Sequence, residues 1–194
     1  MSRNDRCYLI MQKFNLTTIQ TSRLLLRPLE RSDCDDLFSL RSHPEVNRYT
    51  GNTPFATVES AKEMIERDIN AMDEGEYVRF ALIRDSDSKL IGTCGLFHFD
   101  EQCRRAEIGY DLHPDVWGRG YINEALVPLI NLGFAEMDLN RIEADVDPLN
   151  ASSIKTLERL GFKKEGFLRE RWIVNGVKAD TAFYGLLLSD WKSM

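Results

Sequence analysis

The chain has no run of roughly 18 consecutive apolar residues, the length a helix needs to cross a bilayer, so no membrane partner is expected. Its four cysteines, Cys7, Cys34, Cys94 and Cys103, include no Cys-x-x-Cys pair. No secretory leader precedes them, and they are expected to be free thiols in a reducing cytoplasm, without zinc. The three histidines, His43, His98 and His113, are scattered and lack metal-ligand spacing, so no metal site is predicted. Positive charge is in short supply: 25 Lys and Arg face 31 Asp and Glu, a formal charge of -6. Sequence-independent nucleic-acid binding needs a basic face, so direct contact with nucleic acid is not expected and a cationic substrate is favoured. Repeats and low-complexity linkers are missing as well. The 194 residues suffice for one substantial core and are short for two.

What is present is concentrated between Arg104 and Ile122, RRAEIGYDLHPDVWGRGYI. Ala106, Ile108, Tyr110 and Leu112 alternate with Arg105, Glu107, Gly109 and Asp111, the period of a half-buried strand, which ends at Pro114 for want of a ladder donor. Beyond it Ile122, Ala125, Leu126, Leu129, Ile130, Gly133 and Phe134 recur at helical spacing. Pro128 conflicts with that helix and is expected to kink it. Between strand and helix lies Gly118-Arg119-Gly120. There the missing side chains let backbone N–H groups close on an oxygen-rich anion, helped by the helix dipole and by Arg119. Two glycines alone equally describe a tight turn that binds nothing. Trp117 and Tyr121 flank them, either packing around a bound pyrophosphate or simply packing.

The order strand, glycine turn, amphipathic helix, β-branched strand RIEADVD, then NASSIKTLERLGF resembles the acetyl-CoA-binding half of the GNAT superfamily of N-acetyltransferases. Gly118 and Gly120 take the glycine positions of that family's phosphate loop, while Asp115 stands where Gln or Arg is commonest. The departure leaves a pyrophosphate one cation fewer and more charge compensation to Arg119. A second stretch, Thr21 to Gly51, TSRLLLRPLERSDCDDLFSLRSHPEVNRYTG, is similar to the amino-terminal signature of the Rim-type subgroup, which acetylates ribosomal-protein N-termini, and of relatives acting on other amines.

The resemblance implies an α/β (α+β) GNAT fold whose mostly antiparallel central sheet is splayed and flanked by helices. It implies acetyl-CoA as cosubstrate and a gap between the Glu107 strand and the Arg141–Asp147 strand to admit it. Tyr110, Leu112, Trp117, Gly118, Arg119, Gly120, Tyr121, Ile122 and Asn150 are the implied cofactor-binding residues. Backbone N–H groups of the Tyr110–Leu112 segment are the implied oxyanion donors. Residues 1–14 are expected to be an extension and 15–194 one domain, monomeric or homodimeric. A chain starting at Met11 is expected to fold.

Residue patterns supply the rest of the outline. Strands are expected at Leu24–Pro28, Tyr77–Arg84, Lys89–Phe99, Arg141–Asp147, Lys163–Ile173 and Thr181–Leu188. Asp33 can cap a first helix, SAKEMIERDINAM forms a second, and Ala151–Leu160 forms one ended by Gly161. Residues 43–56 are expected to be a loop that grips substrate.

For catalysis, Glu107 occupies the position of the family's strand-borne glutamate, able to take the amine proton through water. Its bland alternative is a surface ion pair with Arg104 or Arg105. Glu165 and Glu170 are the other candidate bases; some Rim-type members carry an acidic residue later in this hairpin, where Trp172 stands here, and that departure leaves the identity of the base open. Asn150 is implied to contact the pantetheine arm and Ser153 to protonate the leaving thiolate, and the same two residues also fit a plain helix cap. Ser153, nine residues before Phe162, is preferred over Ser152 on the Rim-type spacing. The acceptor implied is a protein N-terminal α-amine. A small amine, an amine-bearing antibiotic, or a non-catalytic acyl-CoA sensor are the alternatives.

Overall fold

The computed structural model describes residues 18–174 and 176–192, so the extension assigned to 1–14 lies outside the described residues. The elements in chain order are β1 (Ile19–Gln20), β2 (Leu24–Arg27), α1 (Cys34–Ser42), α2 (Pro44–Asn47), α3 (Val58–Asp73), β3 (Val78–Arg84), β4 (Lys89–Asp100), β5 (Arg105–Leu112), α4 (Tyr121–Asn131), β6 (Arg141–Val146), α5 (Ala151–Arg159), β7 (Lys163–Val174), β8 (Val177–Leu187) and α6 (Leu188–Trp191). The strands form one sheet in the order β1-β2-β3-β4-β5-β6-β8-β7. Every neighbouring pair is antiparallel except β5 and β6. No helix among the described residues is long and apolar enough to cross a membrane.

Because side chains alternate across a strand, the sheet buries two apolar faces. One core takes Leu24, Leu26, Leu82, Leu96, Ala106 and Ile142 from the strands against Leu126, Leu129 and Ile130 of α4 and Leu157 of α5. The other takes Ala81, Ile83 and Leu90 against Leu37 and Leu40 of α1 and Ala61, Met64 and Ile65 of α3. Each helix therefore has a layer to bury its apolar stripe in, at roughly 1.5–3 kcal/mol per fully buried side chain.

Several local expectations are corrected. Asp33 does not cap α1: its carboxylate takes Nη1 and Nη2 of Arg27 at 2.8 and 2.7 Å and the Glu30 N–H at 2.8 Å, holding a 3₁₀ turn, Arg31–Asp33, that runs directly into the helix. The stretch 43–56 is not all loop, since Pro44–Asn47 makes one helical turn whose Pro lies at its start, where no N–H is missed. The last strand begins at Val177 rather than Thr181, because the hairpin around Gly176 (φ +79°) pairs Val174 with Val177. Pro128 lies inside α4, which passes at its end into a wide π turn, Leu132–Glu136, closed from Met137 N–H to the Leu132 carbonyl at 3.1 Å.

Candidate active site

The parallel pairing of β5 with β6 is short. Arg105, Ala106 and Glu107 register with Arg141, Ile142 and Glu143, and pairing stops there, although β5 continues to Leu112 and β6 to Val146. Past Glu107 the two strands diverge, so that edge of β5 is left without a strand partner. The gap opens into a cleft of about 570 Å³ bordered by the 48–52 segment and by the β7–β8 hairpin. Glu107, Tyr110, Asn150 and Ser153 all line it. By alternation, Glu107 and Tyr110 reach it from opposite faces of the sheet.

On the α1/α3 face, Glu107 is paired with neither Arg104 nor Arg105. Arg104 holds Asp138 at 2.7 Å and Arg105 holds Glu143 at 2.6 Å, leaving the Glu107 carboxylate to the His98 ring, Nδ1 to Oε1 3.2 Å. The two other candidate bases are engaged outside the cleft lining: Glu165 by Arg141, and Glu170 by Lys178 at 2.6 Å. Trp172 does line the cleft. Its floor holds a buried ion pair, Arg41 with Asp111 at 2.6 Å, which Thr93 completes through N–H and Oγ1 at 2.9 and 3.0 Å. Nearby, Asp145 on β6 has its Oδ1 buried with no hydrogen-bond partner among the described residues, while Oδ2 meets Arg171 only at 3.4 Å.

On the α4/α5 face, Asn150 is the cap of α5: its Oδ1 accepts the Ser153 N–H at 3.1 Å and the Ser152 hydroxyl at 2.9 Å. That bond fixes the first turn and presents the Ser153 hydroxyl 2.8 Å from the Tyr110 hydroxyl. Burial pushes the Tyr110 phenol up to about 12, outweighing the opposite pull of its bond to Ser153, so the pair stays protonated.

The glycine loop lies past the end of β5, outside the cleft lining. Gly118 and Gly120 both have left-handed backbones, φ +72° and +79°, which side-chain-bearing residues rarely adopt. The first N–H groups of α4 have no carbonyl inside the helix to bond. Such a cradle fits a phosphate group. The Arg119 side chain is exposed. Trp117, 48% exposed, donates its indole N–H to the Leu112 carbonyl at 2.7 Å, and Leu112 is itself buried. Tyr121 is buried, its ring stacked beneath Arg23 at 4.4 Å, and Ile122 packs on the α4 core, so these two have only backbone to offer an anion.

Arg23 is the second cation at the loop. It donates to the Arg119 carbonyl at 3.0 Å and to Glu124 at 2.7 Å. Glu124 also accepts from Thr21, Ser22 and the Arg23 N–H. Burial pushes the Glu124 carboxyl up, and these hydrogen bonds overcome that and bring it to about 2. A carboxylate held below its ordinary 4.5 stabilises the fold above that value, and the contribution fades as pH falls from there toward 2. Glu124→Gln should therefore cost about 1–2 kcal/mol at neutral pH and about 3–6 °C in Tm, with the gap from the parent closing near pH 2–3 in thermal melts.

Sequence reasoning missed Arg23, the Arg41–Asp111 pair, the Tyr110–Ser153 contact, His98 against Glu107, and Asp145. Each depends on which distant segment lies opposite. Most of these residues stood in segments already singled out: Arg23 and Arg41 in Thr21–Gly51, Tyr110 and Asp111 in Arg104–Ile122, Asp145 in RIEADVD and Ser153 in NASSIKTLERLGF, but nothing in those segments named their partners.

A splayed sheet with a glycine turn at a helix start beyond one end of its gap, and a carboxylate and hydroxyls lining that gap, has the layout an acyltransferase drawing on a nucleotide-tailed thioester needs. The chain belongs to the GNAT acetyltransferase family: residues 23–163 match the model of the acetyltransferase (GNAT) domain. It is an N-acetyltransferase that draws on acetyl-CoA. An uncharacterized N-acetyltransferase of Bacillus licheniformis, p20, is 42% identical over 176 residues, 91% of this chain and 99% of that one. A spermidine N(1)-acetyltransferase of Vibrio cholerae is 25% identical over 170 residues, 88% of this chain and 96% of its own. In three dimensions the chain is similar to a GNAT-family acetyltransferase from Bacillus anthracis, with TM-score 0.79 and 25% identity over 88% of this chain and 98% of that one.

Proposed function

We propose that the acceptor is the α-amine of a protein N-terminus of the ribosomal-protein type, acetylated by direct attack on the thioester without a covalent enzyme intermediate. The observation that carries this reading is the convergence of Glu107 from one face and Tyr110–Ser153 from the other on the gap where β5 leaves β6. The cosubstrate supplies an activated acyl carbon and a thiolate leaving group. Gly118, Gly120 and the first N–H groups of α4 hold its phosphates, with Arg119 as the added charge. Trp117, Tyr121 and Ile122 shape that turn, Tyr110 and Leu112 offer backbone along the unpaired edge of β5, and Asn150 holds the pantetheine arm. Backbone N–H groups from Tyr110 to Leu112 stabilise the oxyanion. Glu107 takes the amine proton, and Ser153 protonates the thiolate.

The amino-terminal signature supports the N-terminal acceptor, and so does chemistry. An α-amine near 7.7–8.0 is already about one-tenth neutral at pH 7, so one carboxylate suffices as base. A specific observation favours a second reading, a small polycationic amine: the buried Asp145 Oδ1 on the cleft, without a partner among the described residues, can receive a second ammonium, and the Vibrio cholerae relative acts on spermidine. Release of free CoA thiol across N-terminal peptides, polyamines and aminoglycosides, with products identified by mass spectrometry, decides between them. Tight CoA binding with no release across the panel would instead mean a sensor.

Ser153→Ala should lower turnover by about one to three orders of magnitude, and Tyr110→Phe by about tenfold because Ser153 loses its partner. Amine KM should change little in either variant, which steady-state kinetics checks.

A further inference from the structure

We propose that His98 is the proton exit for the acceptor amine, receiving from Glu107 the proton that Glu107 takes and delivering it to bulk water. The inference rests on Glu107 acting as the base. It begins from an irregularity in β4. Phe97 pairs with Glu107, but the next pair is Asp100 with Arg105, so three steps on β4 match two on β5 and one residue is extra. Facing residues share a side of the sheet, and strict alternation would turn His98 away from Glu107. At the bulge His98 instead takes a left-handed backbone, φ +52°, which brings its ring back over the carboxylate, Nδ1 to Oε1 3.2 Å. A bulge that re-aims a side chain beside an active site, at a residue held in a sparsely populated conformation, marks a constraint that strand pairing alone does not require.

The ring also lies in the right place to release a proton. Its side chain is 65% exposed, against 16% for Glu107. It borders both the cleft and a separate outer depression lined by Asp100, Glu101 and Arg105. Besides Glu107, the charged groups that line the cleft are Arg41 of α1, Arg48, Arg79 of β3, Asp111 of β5, Asp145 of β6, Asp147 and Asp180 of β8, and Arg41 is held by Asp111 at 2.6 Å. Arg79 is committed to Asp68 at 3.1 Å and Arg105 to Glu143 at 2.6 Å, so neither cation is free to hold the Glu107 carboxylate. The step balances: the attacking nitrogen loses one proton to Glu107, the Glu107 carboxyl passes it to neutral His98, and the imidazolium gives a proton to water. Carboxylate and imidazole are both restored for the next turnover.

The test is steady-state kinetics of the full chain, with acetyl-CoA and the best acceptor from the amine panel, for His98→Gln, His98→Ala, Glu107→Gln and the His98→Gln/Glu107→Gln double variant. His98→Gln can still hydrogen-bond Glu107 but cannot carry a proton. It should lower kcat about tenfold, erase one ionisation from the kcat pH profile, and have no further effect in the Glu107→Gln background. Added imidazole should restore turnover to His98→Ala but not to Glu107→Gln. Wild-type turnover and pH profile in His98→Gln, with Glu107→Gln impaired, would overturn the relay and leave the base assignment standing. Full recovery of His98→Ala by the glutamine variant would overturn it too, because His98 would then only position the carboxylate. Wild-type turnover in Glu107→Gln would remove the base and the relay together.

Discussion

Replacing Gly120 with valine is expected to weaken CoA binding by about thirtyfold, the largest single effect on cosubstrate affinity anticipated for this chain. The reason is backbone geometry rather than crowding. An added Cβ would meet nothing nearer than Arg23 Nη2 at 3.7 Å, an ordinary contact, but φ at this position is +79°. A β-branched residue there costs roughly 1–3 kcal/mol. The loop relieves that strain by turning its N–H groups away from the position a phosphate takes. Since every 1.4 kcal/mol is tenfold in affinity, about 2 kcal/mol lost from binding gives the figure stated. Calorimetry with CoA, beside a thermal melt to show that the variant folds, is the measurement. Unchanged affinity in a folded variant would remove the phosphate-loop assignment. Arg119→Ala should weaken binding less and in a salt-dependent way, because an exposed point charge is screened and neutral N–H contacts largely are not.

Glu107→Gln is expected to lower turnover by about one to three orders of magnitude without abolishing it, since positioning of amine and thioester survives. The substitution is nearly isosteric and keeps a hydrogen bond to His98, so the loss reads the proton rather than the shape. Raising the pH should rescue the variant in part. An α-amine is about one-tenth neutral at pH 7 and mostly neutral above about pH 9, so less is asked of a base there. With a lysine amine near 10.4 the neutral share at pH 7 is only about one in 2,500, and the same substitution should cost far more. The ratio of the two losses therefore also reports the acceptor. Full turnover and an unchanged pH profile in Glu107→Gln, with both lost in Glu170→Gln, would move the base to the β7–β8 hairpin, against the observed engagement of Glu170 by Lys178.

What the sequence determined by itself was everything that depends on neighbours a few residues away. Alternation from Arg105 to Leu112 is a strand because period two is local, and it appears as β5. Helical spacing from Ile122 onward gives α4, the glycines of the Gly118–Gly120 turn adopt the left-handed backbone their lack of Cβ allows, and Asn150 caps α5 three residues before the N–H it accepts. Order and spacing of these pieces sufficed for the family and hence for a splayed, mostly antiparallel sheet. Tertiary structure alone decided which charges meet. Glu107 follows two arginines closely in sequence and is paired with neither, because β6 and the turn before it supply Arg104 and Arg105 with acids of their own. Arg23 and Glu124 stand 101 residues apart and together pin the Gly118–Gly120 turn through the Arg119 carbonyl. Tyr110 and Ser153 share a hydrogen bond across 43 residues only because β5 leaves β6 at Glu107 and lets the start of α5 approach. His98 was in the sequence only a histidine without metal-ligand spacing inside an expected strand, and one extra residue in β4 turned it onto the Glu107 carboxylate. Local patterns are set by backbone sterics and side-chain period, which a sequence states outright; ion pairs and proton routes are set by packing, which brings together segments whose spacing in the chain carries no record of the contact.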